Sequence, residues 1–328
     1  MPTADHALDF TPSGVGRSGD DGPGEPASYG GPVADRRRKR RRTFIAAVLV
    51  ILVGAAGTGW YVAHRVTAPI LGTGCTAVAE GRTVTLDAEQ ASNAAVITAV
   101  AVQRNLPARA ATIALATALQ ESKLRNLTYG DRDSLGLFQQ RPSQGWGTKA
   151  QVTDPVYAAN AFYDVLVKIE GYRTLPVTKA AQKVQRSAFP SAYAGHEADA
   201  RVLASALSGY SPAALTCVLD APSGTTESVA ANGLTPRASA VAKAAERELG
   251  ATVTASGAKG TSLELHLPSN STVSAWAVAQ WAVARSQALQ IAAVGTADHS
   301  WSRTDHPNRW VSPGIANLPP GHVVVQVS

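Results

Sequence analysis

The sequence predicts a mainly α domain behind one transmembrane helix, followed by a small α+β domain. Three observations carry that expectation. An uncharged stretch at 44–63 directly follows the basic run RRRKRRR at 36–42. From about 75 to 220, apolar residues recur at helical spacing between recognisable caps and breakers. Beyond APSGTTESVAANGLT, which reads as a linker over 221–234, helical and alternating patterns are mixed over 235–328.

Residues 1–43 are rich in Gly, Pro, Ser and Asp before the basic run, and hold too few large apolar side chains to bury a core. They read as a disordered cytoplasmic tail. The 44–63 stretch would make a helix of roughly 30 Å, one bilayer core. Trp60 and Tyr61 lie at its outer end, and the cations before it orient the N-terminus to the cytoplasm. The rest of the chain is then extracytoplasmic, in a single-pass cell-membrane protein. A signal peptide cut at VGAAG and a twin-arginine signal in RRTFI are alternatives with the same export outcome. The formal net charge of +6 is smaller than the seven cations of the basic run alone, so the remainder is not basic. A globally basic nucleic-acid binder is excluded. The two cysteines, Cys75 and Cys217, are an even count in an exported chain and suggest a disulfide, with two buried free thiols as the alternative. No Cys-x-x-Cys pair occurs, and no metal or cofactor is expected.

Residues 66–85 read as an outer connector. Asp87 with Gln90 is a capping pair for a helix carrying Val96, Ile97 and Val100. Asn105-Leu106-Pro107 ends it, and Pro107 suits the start of a second helix, apolar nearly all round from Ala110 to Leu119. Asp154-Pro155 opens a third with Phe162, Leu166 and Ile169 on one side; Asn160 and Tyr163 there face either the cleft or the core. Further helices are expected near 178–187 and 197–208. Between the second and third helices lies ALQESKLRNLTYGDRDSLGLFQQRPSQGWG, 118–147, where Gly130, Asp131, Asp133, Ser134 and Gly136 favour turns and a short hairpin.

Glu121 thus emerges near the C-terminal end of a buried helix. Apolar walls and the negative end of a helix both favour the protonated form of a carboxyl. A protonated carboxyl in a cleft can donate to a glycosidic oxygen. Ser122, Gln139 and Gln140 are candidates for hydrogen bonds to sugar hydroxyl and acetamido groups. Phe138 and Trp146 are candidates for the apolar side of a sugar site. Asp131 and Asp133 are candidates for a second acid, with turn capping as the plainer role.

The stretch resembles the soluble lytic transglycosylases, relatives of goose-type lysozyme. That family carries Glu-Ser near the end of a buried helix, with Gly-Leu-Met-Gln fifteen residues on. Here Glu121-Ser122 precedes Gly136-Leu137-Phe138-Gln139 at that distance. Phe138 replaces the Met, Gly130 a small hydroxyl residue, and Asp133-Ser134 a Gly-Ala pair. The later Tyr-Asn-Ala-Gly motif has only an echo in SAYAGH at Tyr193. The resemblance is closest over 118–147 and loose over 87–209. It implies a lysozyme-like (transglycosylase) domain over 75–220, with Glu121 cleaving β-1,4 MurNAc-GlcNAc bonds of peptidoglycan, and Gly136 and Leu137 joining the substrate-binding residues. The alternatives are a non-catalytic peptidoglycan-binding surface protein and a two-carboxylate muramidase. A transporter or metal-handling protein is disfavoured by a single hydrophobic span and no clustered Cys or His.

In the last segment, Thr235-Pro236 opens a helix to about Leu249, and SLELHLP alternates as a strand. VSAWAVAQWAVARSQAL reads as a second helix, and IAAVG and HVVVQV as short strands. Trp276 and Trp281 are expected in the core. DHSWSRTDH is expected to be surface turn rather than metal ligands. This small α+β domain carries no recognisable family motif and reads as a wall-binding module or a dock for cell-wall or division proteins.

Overall fold

The computed structural model describes residues 73–186, 191–222, 227–269, 271–315 and 317–328. Residues Ile70–Ser328 form one compact unit.

The described chain begins with β1 (Gly74–Ala79) and β2 (Arg82–Leu86), joined by Glu80 and Gly81 at φ 53° and 71°. Two positive φ values in a two-residue loop match the right-handed twist of the strands they join. Asp87 then caps α1 (Ala88–Gln103) in the expected box. The Gln90 N–H donates to Asp87 Oδ1 (2.9 Å), and the Asp87 N–H donates to Gln90 Oε1 (3.0 Å). After the break at Asn105, α2 (Ala108–Ser122) is buried at every position from Ala110 to Leu119. Its small side chains let neighbours close in on all sides. α3 (Lys149–Val152) and α4 (Pro155–Leu166) follow, the latter capped by Asp154 with Pro155 in its first turn. Then come α5 (Val177–Gln185), a 3₁₀ helix (Ala192–His196), and α6 (Glu197–Leu207). β3 (Leu215–Val218) returns to pair antiparallel with β1, giving the order β2-β1-β3. Cys75 and Cys217 are register partners there, and they form the disulfide expected from the sequence.

The second half supplies α7 (Pro236–Leu249), β4 (Thr252–Ser256), β5 (Ser262–His266), α8 (Thr272–Ala284), α9 (Ser286–Leu289), β6 (Ile291–Gly295), β7 (Ser300–Ser302) and β8 (His322–Val327). Its sheet is antiparallel throughout in the order β4-β5-β8-β6-β7. Leu263, Leu265, Val323, Val325 and Val327 are buried on one sheet face. α8 packs between that sheet and the first half, touching α1, α6 and β3 as well as β6. Trp276 and Trp281 are core residues, as expected.

The mainly α, lysozyme-like fold class is overturned. With 43% helix, 17% strand and two antiparallel sheets, the fold is mixed α+β. Part of the error lies at 66–85: the segment read as a connector holds β1 and most of β2. Their alternation is short, and β3, the second partner of β1, lies far along the sequence, so the sheet does not show locally. The transmembrane helix expected over 44–63 falls outside the described residues, as does 1–43. No helix among the described residues is long and apolar enough to cross a membrane. Helices on either side of 221–234 share one core, α1 packing against both α7 and α8.

Candidate functional site

Glu121 is the penultimate residue of α2 and is half-buried. The chain leaves the helix through Lys123 and Leu124, both left-handed at φ 57° and 61°. Neither is glycine, so each carries roughly 1–2 kcal/mol of strain. Two side chains of α1 hold that turn. Gln90 Nε2 donates to the Lys123 carbonyl (2.9 Å), and Asn93 Nδ2 to the Leu124 carbonyl (2.8 Å). The exit angle of Glu121 is therefore set by a neighbouring helix.

On its other flank stands Tyr193, from the 3₁₀ helix that packs on α2. Its ring is buried, and its hydroxyl donates to Glu121 Oε1 at 2.7 Å. Three residues on, His196 Nε2 lies 3.1 Å from Gln120 Oε1. Burial, reinforced by the Lys123 cation, holds the His196 imidazole below its usual pKa, with Asp199 opposing. Neutral imidazole is thus favoured beside the helix end.

Several residues expected to contact sugar instead build the wall behind Glu121. Ser122 is buried, and its hydroxyl lies 2.8 Å from the Leu137 carbonyl and 3.1 Å from the Ala118 carbonyl. Leu137 and Phe138 are fully buried, and Phe138 stacks on Phe162 with ring centroids 4.7 Å apart. Reciprocal backbone bonds between Leu135 and Gln140, both 3.0 Å, close the loop between them, matching the expected short hairpin. Gly136 is obligatory in that loop. It has φ 76°, and a Cβ would stand 2.1 Å from the Val152 carbonyl oxygen. The Gln139 amide donates to the Gly136 and Tyr129 carbonyls at 3.3 and 3.4 Å. Its oxygen packs over Gly130, where a Cβ would come within 2.0 Å. Gln140 is buried and donates to the Ala158 carbonyl of α4 (3.2 Å). Among the substrate-binding candidates, only Gln139 and Trp146 keep partial exposure.

The two aspartates differ. Asp133 accepts from the Ser143 N–H (2.7 Å), the Ser143 hydroxyl (2.9 Å) and Arg141 Nε (2.9 Å). These donors, the Ser143 amide first, hold its carboxyl well below the usual carboxylate range. Asp131 lies on an exposed turn whose backbone carbonyl accepts from the Ser134 N–H (3.0 Å). Asn160 and Tyr163 turn to structural work. Asn160 Oδ1 accepts from Arg104 (3.0 Å), and the buried Tyr163 hydroxyl donates to the Ile97 carbonyl (2.9 Å). Burial pushes the Tyr163 phenol pKa far up.

Sequence reasoning did not rank Tyr193 among the site residues. The echo in SAYAGH was its only signal, and the contact spans 72 positions. The groups that converge are thus a half-buried carboxyl, a buried phenol bonded to it, and a braced loop behind them. No cluster of three or more potential metal ligands occurs among the described residues. No protein-family model matches the chain, and no curated protein matches it.

Proposed function

We propose that the protein cleaves the β-1,4 glycan of peptidoglycan as a lytic transglycosylase, with Glu121 as the sole proton-transfer group. The observation that carries this reading is the contrast among three carboxyls. Glu121 is half-buried at a helix end with one oxygen held by Tyr193, Asp133 is committed to Ser143 and Arg141, and Asp131 sits on an exposed turn. The Glu-to-Gly spacing shared with the transglycosylases supports the same substrate.

Protonated Glu121 gives its proton to the glycosidic oxygen as the C1–O bond breaks. The resulting carboxylate then takes the proton of the muramic C6 hydroxyl as that oxygen bonds to C1. A 1,6-anhydro ring forms, no water is consumed, and Glu121 is regenerated. Tyr193 fixes Oε1, which leaves Oε2 to handle the proton. No cofactor is invoked. The Cys75–Cys217 bond supports an oxidising location outside the cytoplasm, where peptidoglycan strands are the partner.

The test incubates residues 73–328 with wall sacculi and weighs the products. Anhydro-ended muropeptides are expected, lighter by one water than hydrolysis products. Glu121→Gln should lose at least a hundredfold in turnover while unfolding normally. Reducing-end products that depend on Asp131 or Asp133 would replace the reading with a two-carboxylate muramidase. Binding without any release would leave a glycan reader.

A further inference from the structure

A recess of about 480 Å³ opens beside the loop that backs Glu121, lined by Gln144, Gly145, Trp146, Val165, Val184, Gln185 and Arg186. Two adjacent carbonyls of that loop join it to the candidate site. Ser122, next to Glu121, reaches the Leu137 carbonyl (2.8 Å), and Gln185 Nε2 donates to the Phe138 carbonyl at 2.7 Å.

The chemistry of the lining is one-sided. Trp146, Val165 and Val184 give an apolar floor. Arg186 is exposed, and its guanidinium has no hydrogen-bond or ion-pair partner among the described residues. The Gln144 amide and the Trp146 indole N–H are likewise unpaired there. Among the described residues, no carboxylate lines the recess. Among the described lining residues, unused donors therefore outnumber acceptors, and the one formal charge is positive. A guanidinium flanked by further N–H donors over an apolar floor suits a carboxylate on a short aliphatic body.

We infer that this recess binds the peptide stem of peptidoglycan through a free stem carboxylate held by Arg186. The inference rests on the proposed substrate for the identity of the ligand. Stem peptides carry free carboxylates on short aliphatic residues, attached to the strand close to the bond that Glu121 would break. The site would thus select strands by their stems, which the glycan contacts at Glu121 cannot do.

The experiment titrates residues 73–328 calorimetrically with the soluble stem tripeptide L-alanyl-γ-D-glutamyl-diaminopimelate. Saturable binding is expected. It should weaken at least tenfold in Arg186→Asn and at least tenfold when the peptide carboxylates are amidated, with Arg186→Lys intermediate. Asn is chosen because Arg186 sits at φ 52°, which Asn tolerates. Gln144→Glu, an exposed change that adds a repelling charge, should weaken binding at least fivefold and serves if Arg186→Asn does not fold. No saturable binding, equal affinity in the variants, or equal affinity for the amidated peptide overturns the inference. Cleavage of sacculi without peptide binding sinks this inference alone. Peptide binding without cleavage sinks the catalytic reading alone.

Discussion

Ser122→Ala separates a brace from a sugar contact. The Ser122 hydroxyl has one proton and two acceptors, the Ala118 carbonyl at 3.1 Å and the Leu137 carbonyl at 2.8 Å. The first lies one turn back on α2; the second ties the helix end to the loop behind Glu121. Ser122 is 5% exposed, so water does not replace the lost donor. Leaving a buried carbonyl short of a partner costs about 1–3 kcal/mol. Alanine returns about 0.5 kcal/mol as the better helix former. The net loss should be about 0.5–2.5 kcal/mol. At roughly 2–4 °C per kcal/mol for a unit of this size, Tm should fall by about 1–10 °C. Denaturant unfolding should show a lower midpoint at constant slope. Turnover should fall with it, because the loop that backs the carboxyl loosens. An unchanged midpoint together with a raised KM would refute the reasoning and return Ser122 to the glycan.

Three further outcomes are expected. Reducing Cys75–Cys217, which closes a separation of 142 residues, should lower stability by up to about 5 kcal/mol by the chain-entropy relation; a denaturation midpoint indifferent to reductant would show that the β1–β3 ladder suffices alone. Asp133 has a folded pKa below its unfolded value of about 4. Its contribution is therefore present above that pH and lost as pH falls through the folded value. Asp133→Asn should be less stable than wild type at neutral pH, with the gap closing below about pH 4 in pH-dependent unfolding; a gap independent of pH would contradict this. A chain ended at Asp220 should show no cooperative unfolding by circular dichroism. It loses Gln280, which accepts from the Leu215 N–H (2.8 Å) and donates to the Ala206 carbonyl (2.7 Å), and Trp310, which donates to the Leu215 carbonyl (2.9 Å). A sharp transition in that fragment would show that the first half folds alone.

Local signals were legible in the sequence. The Asp87–Gln90 box, the Asp154-Pro155 start and the Thr235-Pro236 start all lie at observed helix ends, because caps are set by residues a few positions apart. The buried character of α2 was legible too, since apolar residues occupy nearly its whole circumference. What failed depended on distant partners. β1 gains its second partner from β3, which lies beyond α1–α6 in the sequence. The Tyr193–Glu121 bond depends on how the 3₁₀ helix packs across α2, which no spacing encodes. The side chains of Phe138, Ser122 and Gln140 were assigned to sugar by their chemistry, while their burial is decided by Phe162, Leu137 and Ala158 on other elements. Residue type indicates what a group can bond, whereas tertiary packing decides what it meets.

The same logic runs from Glu121 into the second half of the chain. The left-handed turn after Glu121 is held by Gln90 and Asn93, so it is only as rigid as α1. The residue before Asn93 is Ser92, about 100° round the helix, and its hydroxyl accepts from Arg285. Arg285 also bonds Glu248 (2.8 Å), and the Trp281 indole N–H reaches the other Glu248 oxygen at 2.7 Å. Burial pushes the Glu248 carboxyl above the usual carboxylate range, against the pull of Arg285. Such a pair adds little by its charges alone, yet removing one partner strands the other, at about 3–5 kcal/mol. α1 therefore presents one face to the turn that aims Glu121 and another to a buried ionic brace from α7 and the end of α8. The C-terminal half is thereby built into the support of the carboxyl on which the proposed chemistry depends.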